Sequence, residues 1–289
     1  LGAVALAKAA VLELGVDVVP IFWMASEDHD FEEISSFRIG EYQFKWRQPE
    51  AKGPVGLLPT DGLADQLESW LENVPLNEAQ KELLQPRLQA YKECQNLAEA
   101  TRQWVREWAD GCGLLVLDGQ DPSLKAAADP LWREEMKGVY SKLIQEQTEA
   151  LVDHGYKAQV FPREVNLFDL RDGDRQRFEQ ADHQCPSHHI SPNALMRPLY
   201  QEFLLPNLAY VGGGGELAYW LQLGEAFKKI DRPMPVLYLR DSLFVQSAKL
   251  QRALDKIGQP LSALLSNSAE HLKKQFISDS VSLQAEGES

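Results

Sequence analysis

The sequence predicts an α/β fold, a parallel sheet with helices on its faces, from three observations. Between 208 and 239 a short apolar run, a helical stretch and a second apolar run follow in β-α-β order, the alternation of a crossover-connected parallel sheet. The segment 17–23 (DVVPIFW) is rich in Val and Ile, as strands buried on both faces tend to be. It runs into Glu27, Asp28, His29 and Asp30, and open α/β sheets build their sites from polar groups at the carboxyl ends of strands.

Taken in order, residues 1–14 read as a helix closed by Gly15, and 17–23 as the first strand. Residues 35–58 read as short strands and turns, punctuated by Gly53-Pro54. From Thr60 to Asp110 the chain is polar and helical, with starts at Thr60 or Asp61 and at Asn77, a helical insertion into the core. The core resumes at 112–118, an apolar run short enough to be a strand and bounded by turn residues. Pro130 suits the first turn of a helix running to Asp153 and ended by Gly155. Residues 157–161 and 166–178 read as short strands, the latter turned at Asp172-Gly173. Leu195, Leu199, Phe203 and Leu204 have helical spacing. Strand 208–211, helix 216–229 and strand 235–239 follow. From Ser242 the pattern is helical to about Phe276, and 282–289 (SLQAEGES) is a polar, fraying end.

At 289 residues, 44% hydrophobic and 25% charged, the composition is that of an ordinary globular protein with a sizeable core. The net charge of −14, from 29 basic and 43 acidic residues without a basic stripe, opposes nucleic-acid binding, transfer RNA included. No apolar run reaches the roughly 18 to 20 residues of a membrane span, and no secretory leader pattern is present. Cys94, Cys112 and Cys185 are odd in number and lack a C-x-x-C pair, which points to a reducing cytoplasm. Leu1 begins inside an Ala-rich helical pattern with no capping residue ahead of it, so the start reads as a cut.

The carboxylate cluster has two readings. Glu27, Asp28, His29 and Asp30 are catalytic candidates at a strand end, or Asp28 and Asp30 merely cap an acidic helix start. Tyr210-Val211 leads through Gly212, Gly213, Gly214 and Gly215 into Glu216, Tyr219 and Trp220. Strand, glycines and helix start suit an anion or nucleotide; the plainer reading is a tight turn with close helix packing. The spacing is neither a P-loop nor a dinucleotide fingerprint. One of Tyr219 and Trp220 is expected in the core and the other beside a ligand. Asn193, Arg197 and Gln201 put polar groups on the helix at 195–204, Arg197 and Gln201 sharing a face. Arg197 is an anion fork or the partner of a core carboxylate. Arg240 ends the last strand, on the edge where Glu27 falls if the sheet is parallel. His183, Cys185, His188 and His189 lack the paired spacing of structural zinc sites, so no metal is assigned; zinc holding a substrate thiol stays open.

Four blocks in this order, VPIFWMASEDHDFEEI (19–34), NLFDLRDGDR (166–175), SPNALMRPLYQEFLLPNLAYVGGGGELAYWLQL (191–223) and MPVLYLRDS (234–242), closely resemble the bacillithiol-biosynthesis cysteine-adding enzymes, the BshC family. The resemblance runs from Leu1 to about Ser242. It implies a Rossmann-like core over 1–242, with the insertion at about 60–110, and a truncated start of a C-terminal helical region over 243–289. The family has a further strand and a His-Gln-containing, Gly-rich loop upstream, and a coiled coil downstream through which a homodimer would form. The implied reaction joins the carboxyl of cysteine to the amine of glucosaminyl-malate, with Arg197 suited to the malyl carboxylate. ATP is a natural co-substrate for such an amide, though nothing fixes the activation step. The alternative is a non-catalytic nucleotide- or sugar-binding module, or an inactive fragment lacking the upstream segment.

Overall fold

The computed structural model describes residues 1–48, 52–268, 270–274 and 277. The chain falls into two compact units, Leu1–Arg240 and Asp241–Ser289.

In the first unit, helix α1 (Gly2–Leu14) ends at Gly15, whose φ of 65° returns its N–H to the Val11 carbonyl. Strand β1 (Ile21–Met24) is shorter than the predicted 17–23. Its pairing starts only where its partner begins, with the Leu115 N–H donating to the Pro20 carbonyl. A single turn, α2 (Phe31–Ile34), leads into the antiparallel hairpin of β2 (Ser36–Ile39) and β3 (Tyr42–Lys45), turned at Gly40 with φ 60°.

The insertion contains α3 (Leu63–Leu71), α4 (Glu78–Glu93) and α5 (Leu97–Trp108). Asn77 starts α4 through a capping box with Gln80. Helix α3 starts from Gly62 rather than Thr60 or Asp61, because the Thr60 hydroxyl is used on the Cys94 carbonyl at 2.5 Å. The α5 cap, Asn96 accepting from the Glu99 N–H, is not among the predicted starts. These helices share a small core with the hairpin, made of Phe44, Trp46, Val55, Leu58, Leu63, Leu67 and Leu88.

Strand β4 (Leu115–Asp118) runs parallel to β1, Ile21 beside Leu115 and Met24 beside Asp118, so both release their chains at one edge. Three helices follow: α6 (Pro122–Ala127), capped by Asp121, α7 (Asp129–Glu135) and α8 (Val139–Asp153). The single helix predicted from Pro130 is divided at Gly138, with φ 73°. The break lets the Glu135 carboxylate accept from the Ser141 N–H in the first turn of α8, at 3.1 Å. Residues 157–161 are not the predicted strand. The backbone of Val160 is paired by the Gln222 side chain, which donates to its carbonyl at 2.8 Å.

Strands β5 (Leu167–Asp169) and β6 (Gln176–Arg177) form the predicted hairpin, Gly173 taking φ 81° in its turn. An unpredicted strand, β7 (Ile190–Pro192), covers the other edge of β5, and α9 (Met196–Leu204) follows. Strands β8 (Ala209–Gly212) and β9 (Val236–Leu239) are parallel. Between them α10 (Gly214–Trp220), a 3-10 turn at Leu221–Leu223 and α11 (Gly224–Lys229) replace the continuous helix predicted over 216–229. The interruption turns Gln222 inward onto Thr148 and Val160. The expected sheet is present as two parallel pairs, β1–β4 and β8–β9, with no ladder between them among the described residues.

Beneath lies a core centred on Trp132, Tyr200, Trp220, Leu131, Ile144, Leu199 and Phe227. Each such side chain contributes about 1.5–3 kcal/mol on burial.

In the second unit, α12 (Ala248–Ile257) is capped by Ser247 and closed by Gly258, and α13 (Leu261–Ser266) follows. Helix begins at Ala248, not Ser242. The predicted fraying end at 282–289 lies outside the described residues. No helix among them is long and apolar enough to cross a membrane.

Candidate active site

Strand β1 ends at Met24 and β4 at Asp118, side by side, and the two following loops interlock. Ser26 Oγ donates to Asp118 Oδ1, which also accepts from the Gln120 N–H at 2.9 Å. Asp118 Oδ2 lies 3.7 Å from Arg102 Nη2 of the insertion. These contacts fix the backbone that delivers Glu27.

Glu27 is 7% exposed. Its Oε2 accepts from Ser191 Oγ on β7. Its Oε1 lies 3.3 Å from Lys125 Nζ on α6, an ion pair rather than an aligned hydrogen bond, so this buried oxygen has no hydrogen-bond donor among the described residues. Lys125 is fully buried and donates to Gln120 Oε1 at 2.8 Å. Arg175, just before β6, donates through Nε to Ser191 Oγ at 3.2 Å and through Nη2 to the Pro192 carbonyl at 2.6 Å. Its guanidinium lies 4.2 Å over the Phe168 ring and its Nη1 3.5 Å from Asp28 Oδ1.

Burial dominates the electrostatics. It raises the Glu27 pKa, against the opposing pull of Lys125, Ser191 and Arg175. Burial likewise lowers the pKa of Lys125 and of Arg175, and in both Glu27 opposes the shift. Each buried charge therefore depends on the others.

Glu27, Asp28, Arg175, Arg197 and Tyr200 line a narrow cleft with room for little more than a single water, with Trp23, Met24 and Gly119 among its walls. Tyr200 donates to the Gly119 carbonyl at 3.1 Å and packs edge-on to Trp23. The Arg197 guanidinium has no carboxylate or hydrogen-bond partner among the described residues. Its charge opposes the rise that burial imposes on the Tyr210 and Tyr219 pKa values, and adds to the lowering at Arg175.

The remaining candidates fall in three places. Asp28 is half-buried, whereas His29 and Asp30 are exposed; His29 Nδ1 is 3.8 Å from Asp28 Oδ1, and Asp30 precedes α2 without a side-chain cap bond. Asn193 is structural in its contacts, donating to Asn166 Oδ1 at 2.9 Å and accepting from the Leu195 and Met196 N–H groups. Gln201 is buried and does not line the cleft. At the end of β8, no glycine from 212 to 215 has positive φ. A Cβ on Gly212 would meet the Tyr210 ring at 2.6 Å and one on Gly213 the Arg240 guanidinium at 3.2 Å, while Gly214 and Gly215 face open space. Glu216 accepts from the Gly213 N–H at 2.8 Å and from Tyr210 at 3.1 Å. Trp220 is the core member of its pair, stacked 4.2 Å from Tyr210, and Tyr219 is half-buried.

Lys125, Arg175 and Tyr200 are site residues that the sequence reading misses. Arg175 and Tyr200 stand inside the blocks quoted above, but no spacing singles them out. Cys185 is buried in the core with its carbonyl held by Arg133. No three His, Cys, Asp or Glu groups converge on a metal position among the described residues.

Paired parallel strands, crossover helices and a charged cleft at the strand ends define a Rossmann-like α/β protein. The family model described as "Bacillithiol biosynthesis BshC, N-terminal Rossmann-like domain" matches residues 1–189 and 183–241, and the chain belongs to this family. Proteins named "Putative cysteine ligase BshC" from Flavobacterium johnsoniae and Christiangramia forsetii are 37% identical over 260 residues and 35% over 263, each alignment covering 83% of this chain and 49% of the relative. One from Bacillus licheniformis is 27% identical over 307 residues, covering 96% of the chain and 57% of the relative. The chain spans about half the length of these relatives.

Proposed function

We propose that this chain carries the substrate-binding and catalytic core of a ligase of bacillithiol biosynthesis, which forms a carbon–nitrogen bond between the cysteine carboxyl and the amine of glucosaminyl-malate. The names of its relatives support the class. The observation that carries the reading is the pairing, in one cleft, of a buried carboxylate and a guanidinium without a carboxylate partner. An amino-sugar linked to malate needs both.

In this reading Arg197, with Arg175 behind it, binds the malyl carboxylate, and Glu27 receives the sugar ammonium. Glu27 takes a proton from nitrogen, whose lone pair then forms the bond to the activated carboxyl carbon of cysteine as the leaving group departs with its electron pair. Activation in water requires a co-substrate such as ATP. The glycines at 212–215 with Arg240 are the segment assigned to it. His29 and Asp30, at the exposed rim, contact substrate only from outside. Calorimetric titration of the intact protein with glucosaminyl-malate tests the assignment. Arg197→Gln should weaken binding at least tenfold, and unchanged affinity in a folded variant would contradict it.

A further inference from the structure

Lys125 is the least expected residue of the cleft, since lysine is almost never fully buried unless paired. Among the described residues its ammonium contacts only Gln120 Oε1 at 2.8 Å and Glu27 Oε1 at 3.3 Å. The segment that bears it is pinned at both ends. Tyr200 donates to the Gly119 carbonyl, and Trp132 Nε1 donates at 3.0 Å to the backbone carbonyl of Lys125 itself. Tyr200 and Trp132 in turn pack together at 4.8 Å. Two large core aromatics thus hold a short helix so that one lysine reaches one carboxylate. A lysine serving stability alone gains little here, because apolar side chains of similar size often fill such a place as well.

We propose that Lys125 is the positioning residue of this site, its buried ammonium holding the Glu27 side chain in place as a carboxylate so that it accepts a proton from the incoming amine. The proposal rests on the assignment of Glu27 made above. Lys125 touches no substrate in it and acts through Glu27. The other groups facing Glu27 are Ser191 from β7, Arg175 from the β5–β6 turn and Tyr200 from α9, while Asp118 from the end of β4 acts on Lys125 and Asp28 on Arg175. Arg175 is already engaged with Ser191, Pro192 and Asp28. Lys125 is the cation with Glu27 as its only carboxylate within 4 Å among the described residues.

The test is the pH dependence of kcat/KM for amide formation by the intact protein in four forms: wild type, Lys125→Met, Glu27→Gln and the double variant. Removing the ammonium withdraws the charge that pulls the Glu27 pKa down. The acid limb of Lys125→Met should therefore move up by about one pH unit or more, with activity partly recovered toward pH 9. The lost stability should return in the double variant, where neither charge is left alone, while activity should not return. An acid limb that stays in place, with activity lowered equally at every pH, would overturn the proposal. If Lys125→Met does not fold, a double variant that also fails to fold would overturn it too. Full activity in Glu27→Gln would sink the assignment of Glu27 itself; an inactive Glu27→Gln beside an unshifted Lys125→Met would sink only the role of Lys125.

Discussion

Gly56 stands so close to Ser26 that a Cβ added to it would lie 2.4 Å from the serine Cβ, and its N–H donates to the Ser26 carbonyl at 2.9 Å. One residue earlier, the Val55 N–H donates to the Asp28 carbonyl at 2.6 Å. The turn leading into the helical insertion therefore clamps the loop that carries Glu27. The insertion is part of the site's scaffold, not an ornament on it.

Gly56→Ala should consequently displace Ser26 and with it Glu27. Misplacing a catalytic group by about 1 Å costs on the order of 100-fold in rate, so kcat should fall by at least tenfold although residue 56 touches no substrate. Gly224→Ala is the control. Nothing lies within 4 Å of its added Cβ and its φ is −52°, so it should leave kcat unchanged and stability equal or up to about 1 kcal/mol higher. Equal kcat in the two variants would contradict the clamp.

Arg175→Lys should be far from conservative. Lysine cannot reproduce the fork onto Ser191 and Pro192 or the stacking on Phe168. Chemical denaturation should show a loss of about 2 kcal/mol, and kcat should fall with it because Ser191 also donates to Glu27.

Glu135 is fully buried and accepts from both nitrogens of Asn166, and burial pushes its pKa up from 4.5 to about 7. The folded form keeps a proton that the unfolded chain has released, so stability falls as pH rises from about 4.5 to 7, by roughly 3 kcal/mol in all. Glu202, raised to about 6, adds a smaller slope of the same sign. Glu135→Gln, which resembles the protonated acid, should flatten this part of a pH–melting curve and gain on the wild type above pH 7. An unchanged slope would show that Glu135 is ionised throughout.

Gly213→Val should push the Arg240 guanidinium from its place beside β8 without unfolding the chain, since φ at 213 is −75° and the contact is with a side-chain end. A folded variant with several-fold weaker binding of ATP is expected. Full affinity would remove the glycine loop from the site.

What the sequence made legible was local. The Gly15 stop, the Asn77 cap and the Asp172-Gly173 turn are each decided by residues within a few positions. Strand β7 was hidden because Ser191 and Pro192 have no strand pattern of their own; they pair because the edge of β5 needs a partner. Glu27 and Arg197 could be named as candidates by residue type. Lys125 could not, because in isolation a lysine on a six-residue helix reads as a surface residue. Its burial is decided by Glu27, from a strand end far away in the chain, and by two aromatics that lock its helix.

The central claim is that Glu27 is the proton-accepting carboxylate of the cleft. Its most direct test is the single-turnover rate of amide formation in the intact protein with cysteine, ATP and glucosaminyl-malate all saturating, wild type against Glu27→Gln. The Glu27→Gln rate should be lower by about 100-fold or more, the usual range for loss of a general base, with the remaining activity no longer falling on the acid side. A variant that turns over at the wild-type rate with the wild-type acid limb would contradict it.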